Sequence, residues 1–127
     1  MNYDEIQEVL KLNNWAVVGA TNRTEKYGYK IFKKLITHGK TVFPINPRLE
    51  EIEGIKVYKE LKEIHQKIDV VNFVVNPAIG INFVKECKEL GIKYIWLQPG
   101  TISDELLKYA SESDIITIDA CVLVMLR

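Results

Sequence analysis

The chain has 127 residues, 47% of them hydrophobic and 27% charged, and its 17 Lys and Arg balance 17 Asp and Glu to a formal net charge of zero. That length predicts one domain, able to bury roughly two-thirds of the surface its unfolded chain exposes. The absence of a long cationic run excludes a broad nucleic-acid-binding face, and no apolar run approaches the ~20 residues needed to span a bilayer.

The chain opens with MNYDEIQEVLKLNN, an acidic amphipathic stretch that predicts a helix over 3–12. It lacks the basic start and apolar centre of a signal peptide, so a cytoplasmic location is expected. WAVVGA (15–20) is the first apolar, strand-like run. In GYKIFKKLITHG the apolar residues Ile31, Phe32, Leu35 and Ile36 share one helical face, Lys30, Lys33 and Lys34 occupy the other, and Gly39 is a left-handed stop. TVFPI (41–45) is the second strand, and YKELKEI (58–64) predicts a short helix.

DVVNFVV (69–75) is the third strand. In NPAIGINFVKECKELG, Asn76 caps a helix, Pro77 suits its first turn, and Phe83, Val84, Cys87 and Leu90 form its buried stripe before Gly91. KYIWL (93–97) is the fourth strand, SDELLKYASES a helix opening at Ser103, and DIITID (114–119) the fifth strand. CVLVML, which follows, reads equally as strand continuation or helical turn. The strands are nearly continuous apolar runs, the mark of a sheet buried on both faces. Strand and helix alternate throughout. The expected fold is therefore a doubly wound α/β domain: a mainly parallel five-stranded, Rossmann-like sheet with helices on both faces.

In such a sheet a ligand binds beyond the carboxyl ends of the strands, where strand order reverses. The first strand runs into VVGATNRTEKYG, Val17 to Gly28. Gly19 permits a sharp turn and close approach, backbone amides near Ala20 and Thr21 can face an anion, and Thr21 and Thr24 add hydroxyls. Lys26 and Arg23 supply positive charge beside the helix that starts near Gly28, and Glu25 partly offsets them. An ordinary strand-to-helix turn would share several of these features. The second strand sharpens the reading, because its tip carries Asn46, Pro47 and Arg48 instead of the carboxylate that holds the ribose of NAD. Arginine there suits a phosphorylated ribose, as in NADP or at the 3′-phosphate of coenzyme A. The third strand ends in Asn76 and Pro77, and the fourth offers the Gln98 amide, Gly100 and the Thr101 hydroxyl. Four successive strand ends thus carry small or polar residues, the composition of a binding crevice.

No comparable case arises for catalysis or metal binding. His38 reads as a surface residue at a helix end and His65 as a solvated one, and neither belongs to a nucleophile or metal motif. The two cysteines are too few for a disulfide scaffold. Cys87 reads as core. Cys121 reads first as a small buried hydrophobe and second as a residue at the crevice mouth.

Taken in order, AVVGAT at the first strand, Lys-Tyr-Gly at 26–28, VFPINP at 42–47, VYKEL at 57–61, DVVNFVVNP at 69–77, IWLQPG at 95–100 and Asp-x-Cys at 119–121 resemble the small stand-alone coenzyme A-binding proteins. Their domain is similar to the N-terminal domain of the succinyl-CoA synthetase α-subunit, and the resemblance covers about residues 5–121. It implies a coenzyme A pyrophosphate over the loop from Gly19 through Ala20, Thr21, Lys26 and Tyr27 to Gly28. It implies Pro44, Asn46, Pro47 and Arg48 beside the adenosine 3′-phosphate. Val75, Asn76, Pro77 and Ile79 would line the nucleotide's path, with Gln98 and Gly100 further along. The chain departs from the family at Asn76-Pro77, where Arg-Pro is frequent, and at Ala120, where Arg is common. The synthetase's phosphorylated histidine belongs to a second domain, so its activity is not implied.

The expected role is a module that binds coenzyme A or acyl-CoA as a small-molecule ligand, without a complete catalytic site. One variant of this reading is a mixed disulfide between coenzyme A and Cys121. The alternatives are an NADP-linked oxidoreductase or a subunit of an acyl-CoA-processing enzyme, and a purely structural domain with a vestigial pocket. The apolar CVLVML stretch could cover an edge or meet a partner, either a second copy in a homodimer or another protein.

Overall fold

The computed structural model describes residues 2–126, and Met1 and Arg127 lie outside them. Helix α1 (Tyr3–Leu10) opens with a reciprocal cap in which Asn2 Oδ1 accepts from the Glu5 amide at 2.9 Å. Then follow β1 (Asn14–Val18), α2 (Tyr27–Thr37), β2 (Thr41–Ile45) and a small hairpin of β3 (Glu51–Ile52) and β4 (Ile55–Lys56). After one short 3-10 turn at Leu61–Glu63 come β5 (Val70–Phe73), α3 (Pro77–Leu90), β6 (Tyr94–Leu97), α4 (Asp104–Glu112), β7 (Ile116–Asp119) and α5 (Val122–Met125). No helix among the described residues is long and apolar enough to cross a membrane.

Five strands form one parallel sheet in the order β2-β1-β5-β6-β7. The expected doubly wound fold is therefore present. Val9, Leu10, Ile31, Phe32, Leu35 and Val122 bring α1, α2 and α5 onto one face, where they bury Trp15, Val17 and Trp96. On the other face Val84, Cys87, Leu106 and Ala110 carry α3 and α4 onto Ala16, Val71, Phe73 and Ile95. Burial pushes the Cys87 thiol's pKa far upward, as its place in the core requires. Two fully buried indoles meet at 5.6 Å between ring centroids, with Trp15 donating to the Leu12 carbonyl and Trp96 to that of Ala120.

Three expectations need correction. The helix over 58–64 shrinks to the turn at Leu61–Glu63 because Tyr58 is claimed by the edge of β2: its amide donates to the Pro44 carbonyl and its carbonyl accepts from the Asn46 amide. A tertiary hydrogen-bond partner thus overrides local helix propensity. Leu90 is 44% exposed and stands outside the buried stripe, which instead includes Gly80, pressed against Phe73. The hairpin has no counterpart among the sequence-predicted elements. Its turn residues Glu53 and Gly54 both take positive φ, and Glu53 accepts from Lys33 at 2.5 Å and from the Tyr29 hydroxyl, which ties it to α2. The Lys33 hydrogen bond, then the Tyr29 one, holds the Glu53 carboxyl below its ordinary pKa range. The ambiguous CVLVML is helical at Val122–Met125 and packs against α2.

The loop from β1 to α2 is fixed by two glycines. Gly19 has φ +99, and a Cβ there would lie 2.7 Å from the Val74 carbonyl oxygen. A Cβ on Gly28 would lie 2.1 Å from the Gly19 carbonyl oxygen. The first turn of α2 therefore rests directly on the backbone that leaves β1. Gly28→Ala is expected to destabilise the protein by about 1–3 kcal/mol through overpacking, although Gly→Ala inside an open helix normally stabilises by about 1 kcal/mol. A denaturant midpoint that rises in this variant would contradict the contact.

Asn72, in the central strand and fully buried, makes no side-chain hydrogen bond among the described residues. It lies between Val17 and Trp96 in register, on the α2 face. Replacing it with the similarly sized leucine removes the desolvation cost of an unpaired amide, so Asn72→Leu is expected to raise stability by about 1–3 kcal/mol, read from the denaturant midpoint.

Candidate functional site: two hollows sharing Tyr27 and Val74

The chain leaves β1 toward β2 on one side, while β5 continues toward β6 on the other. Their carboxyl ends part at this point, which is where open α/β sheets bind ligands. Gly19 anchors the gap by donating its amide to the Ile45 carbonyl at 3.1 Å. Asn46 braces the next residue: its amide donates to the Ala20 carbonyl at 2.9 Å, and its Oδ1 accepts from the Arg48 amide at 2.8 Å.

Above this base lies a hollow of about 380 Å³ lined by Gly19, Thr21, Arg23, Lys26, Tyr27, Gly28 and Val74. The N-terminus of α2 faces it. Asn2, Asn76 and Ser103 cap α1, α3 and α4 with their side chains, whereas Lys26 gives α2 no such cap. The amides of Tyr27 and Gly28 make no hydrogen bond among the described residues. Arg23 and Lys26 have no ion pair among them either. Two free amides at a positive dipole end, flanked by two cations, can hold an anion of the phosphate type.

A second, narrower hollow of about 140 Å³ adjoins the first and is lined by Tyr27, Val74, Gln98, Pro99 and Cys121. Gln98 is 4% exposed and held from three sides. Its carbonyl accepts from the Thr101 amide at 3.2 Å and the Thr101 hydroxyl at 2.6 Å, closing a turn with Pro99 and Gly100 at its corners. Its side-chain Oε1 accepts from the Val122 amide at 3.0 Å. With Trp96 holding the Ala120 carbonyl at 2.8 Å, the backbone on either side of Cys121 is pinned to β6 and to the residue that follows it. Cys121 is half-buried between these two attachments.

The sequence-predicted site residues divide accordingly. Gly19, Thr21, Lys26, Tyr27, Gly28 and Gln98 line the hollows. Ala20 is buried beneath them, its carbonyl held by Asn46. Asn46, Pro47 and Arg48 stand at the β2 tip next to this loop, with Pro47 and Arg48 exposed. Pro44 is buried inside β2. Its carbonyl points to Tyr58 on the outer edge, so the missing proline N–H also falls on that side. Val75 packs beside Gly19; Asn76 caps α3 by accepting from the Ile79 amide at 3.0 Å, Pro77 begins that helix, and Ile79 is 48% exposed. Gly100 is exposed with φ +87.

Cys121 lines the narrower hollow, which corrects its first reading as a buried core residue. Val74 and Pro99 were not singled out as candidates, although Val74 lies two residues beyond Asn72 and so faces the same side of the sheet. Among the described residues no group of three or more His, Cys, Asp or Glu could hold a metal ion.

Comparison with known proteins bears on the family and the fold. The α-subunit of acetate–CoA ligase [ADP-forming] II from Pyrococcus furiosus is 42% identical over 79 residues, which is 61% of this chain and 17% of that subunit. The chain therefore corresponds to a small part of the ligase. The uncharacterized protein YneT of Bacillus subtilis is 29% identical over 122 residues, 94% of this chain and 90% of its own length. A solved structure of a hypothetical protein from Pyrococcus horikoshii superposes with a TM-score of 0.94 at 31% identity, covering 98% of this chain and 89% of that one. The family described as CoA binding domain matches residues 13–127, and the chain belongs to it.

Proposed function

We propose that the chain binds coenzyme A or an acyl-CoA along the carboxyl ends of β2, β1, β5 and β6. The observation that carries this reading is the continuity of the two hollows through Tyr27 and Val74. One is cationic and offers open amides, while the other has no charged lining residue. Coenzyme A has that polarity, with a pyrophosphate at one end of a neutral pantetheine arm. On this reading the pyrophosphate lies against the Tyr27 and Gly28 amides, with Lys26 and Arg23 as counter-charges. The adenosine 3′-phosphate lies toward Asn46, Pro47 and Arg48, with Pro44 behind them. Val75, Asn76, Pro77 and Ile79 flank the nucleotide, and the arm passes over Val74 toward Gln98 and Gly100. A reducing compartment such as the cytoplasm suits two unpaired thiols.

The similarity to acetate–CoA ligase α-subunits supports a second reading that keeps the same site, in which the chain serves as the coenzyme A-holding subunit of an acyl-CoA-processing assembly. An NADP-linked role would use Arg48 in the same way but gives the narrow, thiol-lined hollow no task.

Calorimetric titration with coenzyme A, dephospho-coenzyme A, NADP and NAD tests the proposal. Coenzyme A is expected to bind best. Arg48→Ala is expected to lose about 1–3 kcal/mol with coenzyme A and little with the dephospho form, as a charge-assisted phosphate contact requires. Lys26→Ala should weaken both equally. Preference for NADP, or no binding of any of the four, would overturn the proposal.

A further inference from the structure

We infer that the narrow hollow is a subsite for a short, uncharged acyl group, and that Gln98 Nε2 donates to the carbonyl oxygen of its thioester. This rests on the coenzyme A reading and deepens it, because it makes an acyl thioester a better ligand than the free thiol.

The first argument is an unpaired donor. Gln98 is 4% exposed, and its Oε1 is committed to the Val122 amide, which fixes which end of the side-chain amide is nitrogen. Nε2 has no acceptor among the described residues, and the residue lines the hollow. The fully buried side-chain atoms without a partner among the described residues belong to Asn72, so Gln98 Nε2 keeps its access to the hollow, where a ligand carbonyl can replace solvent as its acceptor. Thiols and thiolates offer only weak or differently shaped acceptors, whereas a thioester carbonyl presents an sp² oxygen.

Size and charge narrow the ligand further. At about 140 Å³ the hollow is the smaller of the two, against about 380 Å³ for the cationic one. A space of that size suits the thioester carbonyl with a few further carbons, as in propionyl or butyryl, better than a fatty acyl chain. None of Tyr27, Val74, Gln98, Pro99 and Cys121 carries a compensating positive charge, so an acyl group ending in carboxylate would be desolvated without a partner. The route in is set by the fold, because Tyr27 and Val74 also line the cationic hollow. A ligand whose phosphates sit against α2 therefore extends directly into this subsite.

Calorimetry with free coenzyme A and its acetyl, propionyl, butyryl, succinyl and palmitoyl thioesters tests the inference on the intact chain. Propionyl- or butyryl-CoA is expected to bind about tenfold tighter than free coenzyme A, the gain of one good hydrogen bond plus apolar contact. The succinyl and palmitoyl forms are expected to bind no tighter than free coenzyme A. Gln98→Glu keeps an acceptor for the Val122 amide and removes the donor, so the ratio between propionyl-CoA and coenzyme A should fall toward one. Cys121→Leu, which narrows the hollow, should lower the same ratio and serves if the first variant does not fold. Equal affinity for free coenzyme A and every thioester, or an unchanged ratio in a folded variant, would overturn the subsite.

S-propionyl-N-acetylcysteamine, which has no nucleotide, separates this inference from the one beneath it. Displacement of the Gln98 side-chain amide resonances by this fragment and not by N-acetylcysteamine, in a protein that ignores coenzyme A, would support the subsite and overturn the nucleotide reading. No response to either the fragment or the full thioesters overturns both.

Discussion

The contact between Gly28 and the Gly19 carbonyl is the constraint on which the rest of the site depends. It brings the start of α2 against the end of β1, leaving no space for even a methyl group. The residues between them must therefore loop outward, and Arg23 and Lys26 are carried to the rim of the hollow. The same contact sets the height of the α2 amides above the strand ends. A dinucleotide fold with closely spaced glycines makes its phosphate cradle in a short turn. Here the two glycines are nine positions apart, and tertiary packing brings together what sequence spacing separates.

That packing also explains what could be read from the chain alone. Strands buried on both faces and helices with one apolar stripe determine the layers, and those patterns are local, so the sheet, its helices and the crevice at the strand ends were all legible. Residues whose role is settled by a distant partner were not. Tyr58 lies in a helix-forming stretch but is held extended by the edge of β2. The hairpin rests on strands of two residues each, too short for any period to register. Leu90, the last residue of α3, matches the helical spacing and still stands 44% exposed.

The site shows the same division. Gly19, Thr21, Lys26 and Gln98 announce themselves by following apolar strands. Cys121 does not, since its position depends on two hydrogen bonds, one made by Trp96 of β6 and one by Gln98 just beyond it, that no local pattern encodes. Asn46 was legible as a polar residue at a strand tip, but its amide is occupied with the Ala20 carbonyl and the Arg48 amide. It shapes the loop and couples the position of Arg48 to the phosphate hollow, so a side chain that looks like a contact residue serves as the frame for its neighbours.

The Tyr58 bridge has a consequence for how molecules of this protein can meet. At the β2 edge, Pro44 lacks a donor and the groups around it are already occupied by Tyr58, so a foreign strand finds no continuous row of hydrogen-bonding groups there. At the opposite margin, β7 ends the sheet with no further strand beside it among the described residues. The five-stranded sheet is thus lopsided in its capacity for growth, and its open margin is Ile116–Asp119, the side remote from the phosphate hollow.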